Sequence, residues 1–201
     1  MGKLMGKSVK RVEDLRFITG KGQYTDDITL PRMTFATIIR SPFAHANVKN
    51  IDFSAAKKSP GYVASFVGSD IPEGIAGVPC GWQVDFKNGD TMKEPPHPLL
   101  ARGKARYVGD AVAVVIAETQ AQAKDAAGLV DVEYEELPAV VNISEALKDG
   151  APQLHEEAPN NCIFEWELGS GMDVVNSALA SAAHVTKLDI VNQRLVPNAI
   201  E

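Results

Sequence analysis

Four histidines, at positions 45, 97, 155 and 184, are the side chains best suited to metal binding or proton transfer in this chain. None forms an HExxH pair or stands at another metal-ligand spacing, and Cys80 and Cys162 form no CxxC. His97 lies between prolines and reads as a surface histidine. His155-Glu156-Glu157 is the most suggestive local cluster, but it sits among Gly and Pro and reads as a solvated acidic turn. Ser41, His45 and Asp52 supply the residue types of a nucleophilic triad, yet no G-x-S-x-G elbow aims the serine. Asp26-Asp27 and Glu135-Glu136 are adjacent carboxylates. On extended chain neighbours point to opposite sides, so neither pair is predisposed to share a proton. GKLMGKS at Gly2–Ser8 has one residue too few between its glycines for a phosphate loop and follows no strand. Gly20-x-Gly22 lacks the third glycine of a dinucleotide fingerprint and reads as a glycine turn before an Asx-type turn. Trp82 and Trp166 are too isolated to make a base-stacking platform. From the residues alone, no position is assigned a catalytic, cofactor-binding or metal role.

The elements that would have to position such residues are clearer. Gly103–Asn142 reads as a turn at Gly109-Asp110, a valine-rich strand Ala111–Ala117, a helix and a returning strand. Thr119 and Gln122 stand at capping-box spacing, and Ala123, Ala126, Ala127 and Val130 form a small-residue face for close packing on a sheet. Val130, Val132 and Tyr134 then alternate with Asp131, Glu133 and Glu135. The expectation is a right-handed strand–helix–strand crossover within one sheet.

Upstream, strands are expected over Met33–Arg40, with Phe35, Thr37 and Ile39 on one face, near Ala46–Ile51, and over Tyr62–Val67. Ser54 is expected to cap a brief helix through Lys58. This alternation indicates α/β architecture. Gly68–Gly103 is a long loop with the run Pro95–Pro98, read as lying on another domain or subunit. Ile143–Pro159 reads as a connection in which Ser144 caps a short turn. A new unit is expected to begin with a strand at Asn161–Leu168, a helix capped by Asp173 and carrying Val174, Ala178, Leu179 and Ala182 on one face, and an extended His184–Leu195. An unpartnered last strand implies the front piece of a longer polypeptide.

The net charge is −6, with 45% apolar and 23% charged residues, and the Lys/Arg of the first dozen residues read as a solvated tail. That balance argues against nucleic acid or an acidic membrane as partner. The cysteines read as free thiols in a reducing compartment, and no stretch has the length of a membrane span or the apolar core of a signal peptide. The expected location is cytoplasmic.

The order of segments RVEDLRFITGKGQYTDDI, RSPFAHANV, HPLLARGKARYVGDAVAVVIAET, VEYEELPAVVN, GAPQLHEEAPNN and QRLVPNAIE resembles the molybdenum-containing hydroxylases of the xanthine dehydrogenase/aldehyde oxidase family. The likeness is to the N-terminal part of the large subunit, nearest the aerobic carbon-monoxide dehydrogenase large-chain type, and covers essentially the whole chain. Phe43 stands where members commonly have a second histidine, and Asn192 where a histidine often precedes Gln-Arg-Leu. The resemblance implies a tail at 1–9, an α/β-hammerhead domain at 10–142, a connector at 143–160 and the beginning of a molybdopterin-binding domain at 161–201. It implies a complete enzyme that oxidises carbon monoxide or hydroxylates an aldehyde or N-heterocycle with oxygen from water. It also implies a molybdenum–molybdopterin cytosine dinucleotide centre, and iron–sulfur clusters and FAD on partner small and medium subunits. The family's pterin loops and catalytic glutamate lie downstream of Glu201, so no cofactor or catalytic residue carries over and the fragment alone is expected to be inert. The alternatives are an autonomous scaffold that docks an iron–sulfur or flavin subunit through Gly68–Gly103, and a small hydrolase built on Ser41 and His45.

Overall fold

Seven consecutive residues without a charged or polar side chain, Ala111–Ala117, set the architecture, because such a strand must be covered on both faces and both edges. The computed structural model describes residues 5–75, 77–86, 88–192 and 195. It divides into Thr34–Ala182 and a smaller unit made of the described parts of Met1–Met33 and Ala183–Glu201. The strands are β1 (Phe35–Arg40), β2 (Ala46–Asp52), β3 (Tyr62–Val67), β4 (Lys104–Ala105), β5 (Ala111–Ala117) and β6 (Asp131–Glu136). The α-helices are α1 (Asp14–Ile18), α2 (Gln120–Ala127), α3 (Ile143–Ala146) and α4 (Met172–Ser181).

Two antiparallel three-stranded sheets result, ordered β1-β5-β3 and β4-β2-β6. In the first, β5 is flanked on both edges, and Val112, Ala113, Val115 and Ala117 are fully buried. Val115 packs with Ala56 and Ala126 of α2, whose alanines allow the close approach expected of that face. Val112 packs with Ala101 and Ala105, and Val48 and Tyr134 of the second sheet close over them. β1 alternates as expected, with Phe35, Thr37 and Ile39 inward, and β3 has the expected bounds.

The crossover does not form. β5 and β6 lie in different sheets, so α2 joins two sheets and there is no parallel pair for a handedness rule to act on. The reason is local. Both edges of β5 are taken by β1 and β3, and the acidic face of β6 finds its partners on β2, where Glu135 accepts from Asn47 at 2.7 Å and pairs with Lys49 at 2.7 Å.

Several caps differ too. The Gln122 amide donates to Thr119 Oγ1 at 3.2 Å, but the Gln122 side chain accepts from the Thr119 hydroxyl instead of reaching the Thr119 amide. Ser54 does not cap: its amide and hydroxyl both donate to Asp52 Oδ1, and the 3-10 turn Ala56–Lys58 starts from Ala55. Asn142, two residues before Ser144, caps α3 through Oδ1. Gly171 begins α4, and Asp173 lies in its first turn.

Residues 162–168 are not a strand, because among the described residues no neighbouring strand offers a ladder. Their inter-segment backbone bond is Lys93 N–H to the Ile163 carbonyl at 2.8 Å. Residues 184–192 are likewise without strand structure. The remainder of that predicted segment, apart from Leu195, lies outside the described residues, as do residues 2–4 of the phosphate-loop imitation. In the smaller unit, α1 and the 3-10 turn Thr25–Asp27 were not foreseen. Asp27 Oδ2 accepts from the Tyr24 amide at 2.9 Å, three residues back, so the carboxylate closes the start of the 3-10 turn. The expected Asx-type turn, which would accept from an amide two residues on, is not what it makes.

Candidate functional site

The turn between β4 and β5 builds one side of a pocket of about 300 Å³. Lys104 lies on β4, and Arg106, Tyr107 and Asp110 follow it because the chain must reverse before β5. Gly109 makes that reversal at φ +93°, where a side chain is strained. The turn is locked from several directions. Ser41 N–H donates to the Asp110 carbonyl and Gly109 N–H to the Ser41 carbonyl, both at 2.8 Å, and Arg40 Nη1 donates to the Gly109 carbonyl at 2.8 Å. Asp110 Oδ2 accepts from the Arg106 amide at 3.0 Å. The opposite wall comes from the loop 68–103, where Pro95, Pro96, His97 and Pro98 line the pocket and His97 meets Tyr107 edge-on at 6.5 Å. That loop is fixed by Val78 N–H to the His97 carbonyl at 2.8 Å, and by Glu94, which accepts from the Cys80 amide and the Gln83 side chain, each at 2.8 Å.

His155 completes the pocket from the connector, with Nδ1 buried and without a partner. The solvated turn expected for His155-Glu156-Glu157 therefore holds only for its acids. Glu156 is exposed and approaches Lys104 at 3.8 Å, whereas the imidazole turns inward. Burial, and then the Arg106 guanidinium, hold His155 below the ordinary histidine range, with Glu157 and Asp110 opposing. Burial and the Asp110 charge push the Tyr107 hydroxyl up. Sequence reasoning missed Arg106, Asp110 and His155 as a group. The one available signal was the tight Gly109-Asp110 turn, which brings Asp110 back onto the Arg106 amide.

The other residues weighed from sequence do not assemble. Ser41 is 2% exposed, and its hydroxyl is engaged with the Phe43 backbone as donor and acceptor. His45 Nδ1 donates to the Pro138 carbonyl at 2.7 Å. Asp52 stands at the far end of β2 from His45, ~20 Å of extended chain away. No triad exists there. Cys80 and Cys162 are free thiols, as expected. Among the described residues no group of three or more His, Cys, Asp or Glu side chains is placed to hold a metal ion. The pocket does not fit a molybdopterin dinucleotide either. It lies at the small end of ligand sites, and its fixed donors are committed to the chain itself, with Arg106 Nε donating to the Leu154 carbonyl at 2.8 Å. What this geometry does is clamp the connector to the sheets.

Two antiparallel sheets joined through α2, with residues 150–161 held on the turn before β5, define a small mixed α/β domain. Residues 19–138 match the family described as aldehyde oxidase and xanthine dehydrogenase, a/b hammerhead domain, and the chain belongs to that family. It is 35% identical over 210 residues to the carbon monoxide dehydrogenase large chain of Afipia carboxidovorans, covering 98% of this chain and 24% of that one. It is 36% identical over 182 residues to the nicotine 6-hydroxylase large subunit of Paenarthrobacter nicotinovorans, covering 90% and 21%. The solved reconstituted CO dehydrogenase from Oligotropha carboxidovorans superposes with a TM-score of 0.72 at 33% identity, over 90% of this chain and 22% of that one. The chain thus spans about a fifth to a quarter of the length of these relatives.

Proposed function

We propose that this chain is the N-terminal portion of the large subunit of a molybdenum hydroxylase, which oxidises carbon monoxide or hydroxylates an aldehyde or N-heterocycle with oxygen from water. The proposed division is a tail at 1–9, the hammerhead domain at 10–142, a connector at 143–160 and the beginning of a molybdopterin-binding domain at 161–201. The molybdenum–molybdopterin cytosine dinucleotide is held by further large-subunit polypeptide, and iron–sulfur and FAD subunits are the electron-transfer partners, in the cytoplasm. The hammerhead's part is support, and 1–201 alone has no turnover. One observation carries this reading. Residues 162–181 expose an apolar surface, including Phe164, Trp166 at 60% exposure, Leu168, Met172 and Val174, and none of α4 is buried. A soluble protein normally covers such a surface. Among the described residues no helix is long and apolar enough to cross a membrane.

The test is metal analysis and turnover of the 201-residue chain, alone and joined to the downstream part of a relative's large subunit, each expressed with cofactor supply. Molybdenum is expected only in the joined form; stoichiometric molybdenum and turnover in 1–201 alone would falsify the proposal.

The scaffold alternative rests on Trp82, which is 78% exposed on the loop 68–103. It predicts that Trp82→Ala abolishes capture of an iron–sulfur or flavin subunit by the isolated chain.

A further inference from the structure

Two imidazoles stand beside the connector with incomplete hydrogen bonding. His45 is 5% exposed, with Nδ1 donating to Pro138 and Nε2 unpartnered, and His155 Nδ1 is buried and unpartnered. The charges that act on His155 come from each element around it. Arg106 and Asp110 belong to the β4–β5 turn, His45 to the approach to β2, and Glu157 to the connector itself, while Lys104, Tyr107 and His97 line the same pocket. The connector is anchored around this ring. Arg106 Nε holds the Leu154 carbonyl at 2.8 Å, the Leu154 amide donates to Asn161 Oδ1 at 3.0 Å, and Asn161 Nδ2 donates to the Ala146 and Pro152 carbonyls at 3.0 Å.

We propose that His155 is an acid-sensitive latch: neutral, it seats residues 150–161 on the β4–β5 turn, and protonated, it releases them while both sheets stay folded. A neutral ring with one unpaired nitrogen fits beside a guanidinium at modest cost. A protonated one sets a second cation against Arg106, which its bond to the Leu154 carbonyl holds in place, and leaves that charge in a partly buried site. Asp110 and Glu157 pull the other way, but burial and Arg106 outweigh them. The sign follows. The docked ring has its pKa held below the ordinary value of 6.5, so the released form takes up protons first. Docking is fully favoured above about pH 6.5 and weakens as the pH falls below it, about tenfold for each unit by which the released pKa exceeds the docked one.

The test is amide hydrogen exchange, corrected for intrinsic rates, from about pH 7.5 to about pH 5 on the 201-residue chain. The expected result is a loss of protection at the Leu154, Ala158, Asn160 and Asn161 amides as the pH falls, with β5 unchanged, and no such loss in His155→Gln. Protection independent of pH in the parent, an equal drop in His155→Gln, or a drop abolished only by His45→Gln overturns the proposal. Should His155→Gln fail to fold, the imidazole titration of the parent by NMR decides. A His155 midpoint below 6.5 that coincides with the change in the Asn161 side-chain amide signals supports the latch, and a midpoint at or above 6.5 refutes it.

Discussion

Ser41 and Asp110 hold each other's backbone in place: the Ser41 amide donates to the Asp110 carbonyl at 2.8 Å, and Gly109, one residue earlier, returns a bond to the Ser41 carbonyl at the same length. This ladder-like pair continues the β1–β5 register past its bulge at Arg40 and fixes the turn that carries the pocket.

Gly109→Ala isolates the backbone contribution to that turn. A Cβ there meets nothing within 4 Å, so the cost is conformational, about 1–2 kcal/mol for a left-handed residue. Chemical denaturation should show the lower midpoint with an unchanged m-value.

Asn161 combines two roles, a left-handed backbone at φ +55° and three side-chain hydrogen bonds that gather the connector. Asn161→Gly keeps the first and removes the second, so the connector should become cleavable by protease while β5 stays protected, at a local cost of about 1–3 kcal/mol. Asn161→Ala loses both and should be cleaved faster. Equal resistance of all three proteins would show that the side chain does not hold the connector.

Glu94 pins the loop 68–103 through the Cys80 amide and Gln83, and those hydrogen bonds hold its carboxyl below the usual 4.5. A lowered folded pKa means that its contribution is complete above 4.5 and is lost as the pH falls through the folded value. Trp82 fluorescence should therefore change only in the acid range, and Glu94→Gln should move the neutral-pH signal toward the acid one.

Tyr134 contributes its ring to the core beside Phe43, at 5.2 Å between centroids, but its buried hydroxyl has no hydrogen-bond partner. Burial pushes that hydroxyl's pKa up, with Ser41 nearby opposing. Tyr134→Phe removes an unsatisfied group at constant shape and should raise thermal stability by up to about 1 kcal/mol. A loss of that size would mean that the hydroxyl is paired in solution.

Five of the six strands were readable from local pattern, because Phe35, Thr37 and Ile39, or the unbroken Ala111–Ala117 run, carry their own signal, whereas the two-residue β4 is too short to carry one. Their pairing was not. Which strand lies beside β5 depends on β1 and β3, far away in sequence, and an apolar run reads the same in a parallel or an antiparallel sheet. The strand expected at 161–168 failed for a related reason. Its residues alternate properly, but a strand needs a neighbouring strand, and none pairs with it among the described residues. The pocket was the least legible feature. Arg106, Asp110 and His155 meet only after the connector folds back, and no spacing along the chain encodes that return. The order of several motifs, by contrast, pointed to the family before any contact was known, and the hammerhead match bears that out.

The register that joins Phe35 to Ala117 and Ala46 to Glu136 also has a consequence for biosynthesis. β1 and β2 leave the ribosome early and wait, edges unpaired, until β5 and then β6 have been made. Pairings this distant in sequence place the domain among slow folders, on the scale of milliseconds to seconds. A nascent chain stalled before Ala111 should therefore bind holdase chaperones through its waiting strands, and one extended past Glu136 should shed them.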